Sequence, residues 1–181
     1  MAYLTAYVAL VRRGNLQAGE TLLVHGASGG VGMAAVDIGK LLGATVIATG
    51  GSDAKLQRVL AYGADHVINT EHGFREQVKA LTGGRGADVI YDPVGGDIFD
   101  ESTRCINFDG RLLIIGFTSG RIASVPTNIP LIKGFSVMGV RAGEYGRQFP
   151  EKGAENLQII WDWVREKKTR PHVHAELPLS Q

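Results

Sequence analysis

The stretch His25-Gly26-Ala27-Ser28-Gly29-Gly30-Val31-Gly32 decides the fold. Just before it, Thr21 to His25 (TLLVH) is a short apolar run of buried-strand type. Just after it, Val31, Ala35, Ile38 and Leu42 recur at helical spacing until Gly43 ends the pattern. A glycine-rich turn between a strand and a helix is the setting in which dinucleotide phosphates are held. Set against G-x-G-x-x-G, the key positions are Ala27, Gly29 and Gly32, so alanine stands where the first glycine would be. Gly29 lets backbone approach a pyrophosphate, and Gly32 lets the helix pack close to the sheet. The open N–H groups of the helix start, from Ser28 through Gly30 and Val31 to Gly32, offer the phosphates the favourable end of the helix dipole. Without a ligand the same residues would form only a tight strand–helix turn. The flanking strand, helix and second strand, all in register, favour the dinucleotide.

Outward from this loop the pattern repeats. Leu4, Tyr7, Val8 and Val11 mark a helix before it, with Gly14 at its C-cap. Thr45 to Thr49 (TVIAT) is a second strand, and Ser52 caps a helix through Tyr62 that Gly63 ends. Further strands are predicted at His66–Asn69, Asp88–Tyr91, Arg111–Ile115 and Phe135–Val140. Helices are predicted over about Phe74–Leu81 and Asp97–Ile106, and a loop with Pro126 and Pro130 plus a short turn leads to the last strand. Pro150 starts a long amphipathic helix with Ala154, Leu157, Ile160, Trp161 and Val164 inward, stopped by Thr169-Arg170-Pro171. Trp163 is then expected to point elsewhere, toward another domain. Six apolar strands mostly separated by helices predict an α/β fold with a doubly wound, six-stranded parallel sheet. The matching Rossmann arrangement has strand order 3-2-1-4-5-6. Residues 1–171 form this one domain, and 172–181 are a tail.

Composition agrees. Of 181 residues, 44% are apolar and 20% charged, enough for a packed core. Glycine stands at 25, roughly twice its ordinary ~7% share, scattered where tight strand–helix turns need it. Nineteen basic against eighteen acidic residues give a net charge of +1 and no basic footprint for nucleic acid or an anionic membrane. No apolar run approaches the ~20 residues of a membrane span. A single cysteine, Cys105, permits no internal disulfide and fits a reducing cytoplasm.

Two rival readings of the loop fail. A methyltransferase-like domain would carry acids at the glycines, and His25-Gly26-Ala27-Ser28 has none. Short-chain dehydrogenases need a tyrosine followed four residues on by lysine, and none of the five tyrosines here is. The chain instead resembles the medium-chain dehydrogenase/reductase superfamily, in its zinc-free NADPH:quinone oxidoreductase branch. The matching words are Leu4-Thr5-Ala6-Tyr7, Gly19-Glu20-Thr21, His25 to Gly32, Ser52-Asp53-Ala54-Lys55, Gly63-Ala64-Asp65, Tyr91-Asp92-Pro93-Val94-Gly95 and Gly110-Arg111 to Gly116. They span about residues 3 to 140. The resemblance covers the cofactor domain alone, so the chain reads as a truncated piece whose tail, from His172, begins the return to an absent catalytic domain.

NAD-specific domains carry an acid at the end of the second strand to accept from the ribose 2′-OH. Here that position is Gly50, which permits NADPH. Ser52 and Lys55 can supply a hydrogen bond and a cation to the 2′-phosphate, as the resemblance also implies. The tyrosine that often joins them in the family is replaced by Thr70. Asp53 is a nearby acid that argues slightly the other way. Asp92, Val94 and Gly95 follow the fourth strand, and Ile115, Gly116, Phe117 and Thr118 follow the fifth, at the carboxyl ends where open sheets bind ligands. The resemblance places their backbones along the nicotinamide half.

His172 and His174 lack a third ligand in sequence and read as solvated, and Met1 to Val11 lacks the cysteine of zinc-dependent relatives, so no metal is expected. The reading is the NADPH-binding domain of an oxidoreductase passing hydride to a quinone or enone, with no catalytic residue of its own. The alternatives are the cofactor domain of an enoyl-thioester reductase, or a non-catalytic dinucleotide-binding sensor or structural subunit. The last strand, 135–140, carries no charge or proline and is outermost. It is expected to pair with a second copy in a homodimer.

Overall fold

The computed structural model describes residues 1–180. Helix α1 (Ala2–Tyr7) continues as a π-helical segment, Val8–Arg13. There follow β1 (Thr21–Val24), α2 (Gly30–Leu41), β2 (Thr45–Gly50), α3 (Asp53–Tyr62), β3 (His66–Asn69), α4 (Arg75–Leu81), β4 (Ala87–Asp92) and α5 (Gly96–Ser102). The chain closes with β5 (Ile106–Ile114), α6 (Asn128–Lys133), β6 (Ser136–Gly139), α7 (Ala142–Gln148) and α8 (Pro150–Arg165). All six strands are parallel, in the order β3-β2-β1-β4-β5-β6. This is the doubly wound sheet that the apolar runs predicted. Both faces are covered, so side chains alternate between two cores. Leu22, Val24, Val46, Ala48, Tyr91 and Leu113 face α1 and α2, whereas Leu23, Ile47, Ile90 and Leu112 face Phe74, Val78 and Phe99.

Three local expectations are corrected. Helix α5 ends at Ser102 rather than Ile106, and β5 begins at Ile106. Ile106 pairs with Ala87, the register then slips, and Arg111 pairs with Val89, so the polar excursion Asn107–Asp109 is a bulge that looks like a strand boundary in sequence. The 126–134 loop contains α6: Pro130 sits in its first turn, where a missing N–H costs nothing. Residues 142–148 are helical despite two glycines, because α7 packs tightly on α8. A Cβ on Gly153 would lie 3.0 Å from the Gly146 Cα.

The third correction concerns α8, which is rotated from the predicted face. Trp161 (59% exposed), Leu157 and Val164 point outward, and Trp163 is the tryptophan that packs inward, its ring 5.4 Å from that of Tyr7. Asn156 is fully buried because its Oδ1 accepts from Arg12 Nε at 2.8 Å, while Arg12 also pairs with Glu155. A buried ion-linked asparagine outranks the apolar stripe in setting which side faces α1. Beyond α8, Asp37 on α2 accepts from the Tyr3 hydroxyl at 2.6 Å and from the Arg170 N–H at 2.9 Å. The Tyr62 hydroxyl donates to the Arg170 carbonyl. These bonds tie the chain around residue 170 to α1, α2 and α3.

Candidate functional site: the dinucleotide loop

β1 delivers the chain to Gly26, whose φ of +55° makes the sharp turn toward α2. The task of the fingerprint's first glycine therefore falls one residue earlier than the motif alignment assigns it. Ala27 is fully buried and its N–H is spent on the Thr49 carbonyl at 3.0 Å, so it needs no glycine. Val94 explains why the turn is tight: its Cγ2 would lie 3.3 Å from a Cβ on Gly26. Gly26 is the site residue that motif spacing missed. Its signal was the glycine directly after the strand.

At the helix start, the first bond into α2 runs from the Met33 N–H to the Gly29 carbonyl at 2.8 Å. The amides of Gly30, Val31 and Gly32 are therefore the open donors of the first turn. Ser28, Gly29 and Gly30 are exposed, while Gly32 is buried against the loop. A Cβ on Gly32 would sit 2.4 Å from the Gly26 carbonyl oxygen and 2.7 Å from the Ala27 Cα. Gly32 thus has the helix-packing role expected of it. These donors and this clearance fit a pyrophosphate.

Beneath the loop, His25 is fully buried and bridges two elements. Ser102 Oγ donates to the Ile98 carbonyl at 2.7 Å, so toward His25 Nε2, 2.8 Å away, it can only accept. Nε2 therefore carries the proton, and Nδ1 accepts from the Thr49 hydroxyl at 2.7 Å. The neutral ring ties the end of β1 to the end of β2 and to α5, and its edge packs on Phe74. Burial pulls its pKa down to about 3. The unfolded chain protonates this residue below about 6.5, which the folded site resists. The stabilisation is thus complete above about pH 6.5 and is lost as pH falls toward 3. Between pH 7.5 and 4.5 this single residue is expected to remove on the order of 2–3 kcal/mol. Urea unfolding at both pH values should show that loss, and His25→Asn should lack most of it. An equal loss in the variant would assign the acid sensitivity elsewhere.

The ribose end is assembled from β2 and α3. Gly50 ends β2 and Ser52 is the N-cap of α3, but its hydroxyl makes no capping hydrogen bond and is left uncommitted. Lys55 is exposed and has no ion pair among the described residues. The nearby acid Asp53 accepts from Asn69 Nδ2 at 2.7 Å, which holds it toward β3. Thr70 opens a short 3-10 turn directly after β3. At the other end, the two loops expected along a nicotinamide are laced together. The Ile115 N–H bonds to the Asp92 carbonyl, that of Thr118 to Pro93, and that of Ser119 to Val94, at 2.9–3.1 Å. Asp92 shapes this turn from within: it is 1% exposed and its Oδ1 accepts from the N–H groups of Val94 and Gly95. Burial pushes its carboxyl above the usual range. Gly116 backs onto Pro93, and Phe117 is left half exposed beside Gly95. All these candidates lie at or follow the carboxyl ends of their strands, or sit in the first turn of the helix beyond.

The sequence and the fold are matched by known proteins. The zinc-binding dehydrogenase family profile matches residues 30–159. The chain belongs to this medium-chain dehydrogenase/reductase family. It is 39% identical over 183 residues to quinone oxidoreductase-like protein 2 of Bos taurus, covering all of this chain and 52% of that protein. Escherichia coli quinone oxidoreductase, solved in complex with NADPH, superposes with a TM-score of 0.85 at 32% identity, over 95% of this chain and 53% of that one. The nucleotide-binding subdomain of the PpsC enoylreductase domain from Mycobacterium tuberculosis gives 0.83 at 32% identity, over 94% and 96% of the two chains. The chain spans about half the length of the curated relatives it matches. The matched region is the dinucleotide-binding domain of this family.

The zinc of the family's description does not fit the residues of this half. Among the described residues no three His, Cys, Asp or Glu side chains gather. Cys105 is buried, and its thiol is pushed up to about 12, far from the thiolate a metal needs. His172 and His174 stand on the tail with ring centroids 6.4 Å apart. No helix among the described residues is long and apolar enough to cross a membrane.

Proposed function

We propose that this chain is the NADPH-binding half of a zinc-free, cytoplasmic oxidoreductase that reduces a quinone or other electron-poor enone. The observation that carries the cofactor choice is Gly50. A Cβ there would meet only the Leu56 side chain, at 3.4 Å, an ordinary contact, so an acid would fit and its absence suits a phosphate rather than the packing. When bound, NADPH supplies a hydride from nicotinamide C4 to the acceptor. The residues of this chain hold and orient it. The amides of Gly30, Val31 and Gly32 face the pyrophosphate, with Gly29 leaving room. Ser52 and Lys55, with Thr70 nearby, take the ribose 2′-phosphate. Val94, Gly95, Gly116, Phe117 and Thr118 wall the nicotinamide half and leave its other face to the acceptor.

Lys55→Ala is expected to weaken NADPH roughly ten- to hundredfold and NADH little, since a charge-assisted contact contributes ~1.5–3 kcal/mol. Equal losses in calorimetry would defeat the 2′-phosphate role. With one wall of the acceptor cleft supplied from outside residues 1–171, this chain alone binds NADPH and turns over quinones negligibly. Saturable quinone reduction by the purified chain would overturn that expectation. The likeness to the PpsC subdomain supports a second reading, reduction of an enoyl thioester. Assaying quinones against enoyl thioesters in a full-length relative-like fusion separates the two.

The same reading includes a homodimer. β6 bonds only to β5, and its other edge is open, with Val137 and Met138 half-buried. An uncharged edge strand invites antiparallel pairing with a second copy. The pair Val137→Lys with Met138→Pro is expected to convert a dimer to a monomer in sedimentation while NADPH still binds. A wild-type monomer at high concentration would remove the dimer.

A further inference from the structure

We infer that Arg58, one turn beyond Lys55 on α3, is a second cation for the adenosine 2′-phosphate and a determinant of the preference for NADPH. The inference rests on the NADPH reading above and adds a residue that neither the motif nor the resemblance singled out. A cavity of about 850 Å³ opens between the starts of α1 and α2, one side of α3 and the tail residues Pro171, His172 and His174. Ser28 and Gly30 of the phosphate loop form part of one wall, and Lys55 and Arg58 part of another. The anion-binding loop and both cations therefore face the same space. Residues three apart on a helix share a face, so the two side chains can converge on one group.

The charges around them are one-sided. Arg58, like Lys55, is exposed and has no ion pair among the described residues. No described aspartate or glutamate lines the cavity. Asp53, the acid closest in sequence, is held by Asn69 at the end of β3. A phosphate monoester carries nearly two negative charges at neutral pH, and one ammonium leaves about half of that unbalanced. A guanidinium adds the missing charge, and its fork matches two phosphate oxygens where an ammonium meets one. A solvated helix arginine with no ligand is the competing account, and it predicts no cofactor discrimination.

The test titrates the chain, by calorimetry, with 2′,5′-ADP and 5′-AMP as probes and with NADPH and NADH. Arg58→Ala is expected to weaken 2′,5′-ADP and NADPH about tenfold and to change 5′-AMP and NADH less than twofold. Arg58→Lys should recover part of the loss, and the salt dependence of 2′,5′-ADP binding should become shallower in Arg58→Ala. Equal effects on the phosphorylated and unphosphorylated members of each pair, or none on either, would overturn the inference. Lys55→Ala run alongside separates the two levels. If Lys55→Ala discriminates between the cofactors and Arg58→Ala does not, Arg58 alone is wrong. If neither discriminates, the 2′-phosphate site itself is misplaced.

Discussion

Gly32→Ala is expected to lower the melting temperature by roughly 6–12 °C and to weaken dinucleotide binding at least a hundredfold. The added methyl carbon would lie 2.4 Å from the Gly26 carbonyl oxygen and 2.7 Å from the Ala27 Cα, both backbone atoms that no side-chain rotation can move. The helix must then lift from the loop. Overpacking of this kind costs up to about 3 kcal/mol, and each kcal/mol is worth roughly 2–4 °C in a domain of this length. Binding suffers more than stability, because the displaced first turn carries the amides of Gly30 and Val31 away from the pyrophosphate. Gly30→Ala is the control: nothing lies within 4 Å of its Cβ position, so the melting temperature should hold or rise slightly. A Gly32→Ala protein with wild-type melting and wild-type NADPH affinity would show that the loop and helix are not wedged together.

Gly50→Asp should reverse cofactor preference. The backbone at Gly50 lies outside the left-handed region, and the Cβ has an ordinary 3.4 Å contact with Leu56, so the variant is expected to melt within about 2 °C of the parent. A carboxylate there faces the 2′-phosphate with like charge, a juxtaposition that costs several kcal/mol. NADPH affinity should fall about a hundredfold or more. NADH, whose ribose hydroxyls can donate to the same carboxylate, should bind as tightly as before or several-fold better. Tryptophan emission or calorimetry reads both constants. An unchanged NADPH-to-NADH ratio in a folded variant would mean that the ribose does not lie at the end of β2.

Much of this molecule is written locally. The largely continuous apolar runs of β1, β2 and β4 determine a parallel sheet covered on both faces, because a strand buried on both sides loses the alternation of polar and apolar residues. The glycines after β1 give a strand–turn–helix with open amides, a local geometry that suits phosphate wherever it occurs. The missing acid at Gly50 and the exposed cation at Lys55 are likewise legible as local features, because each depends only on its own position at the end of an element.

What the sequence left open depends on partners distant along the chain. Spacing assigned the tight turn to position 27, but the φ of +55° belongs to Gly26, where the Val94 side chain from the β4–α5 loop crowds the turn. Apolar periodicity turned α8 the wrong way, because its rotation is set by the Arg12–Asn156 hydrogen bond and by the Gly146–Gly153 approach to α7. His25 gave no sign in sequence of its bonds to Thr49 and Ser102, nor Arg58 of the cavity it shares with Ser28. Local patterns report which elements form and where they end. Helix rotation, buried polar pairing and the sharing of one cavity by separate elements are decided only when packing brings those elements together, since each of those energies belongs to a pair of residues rather than to either one.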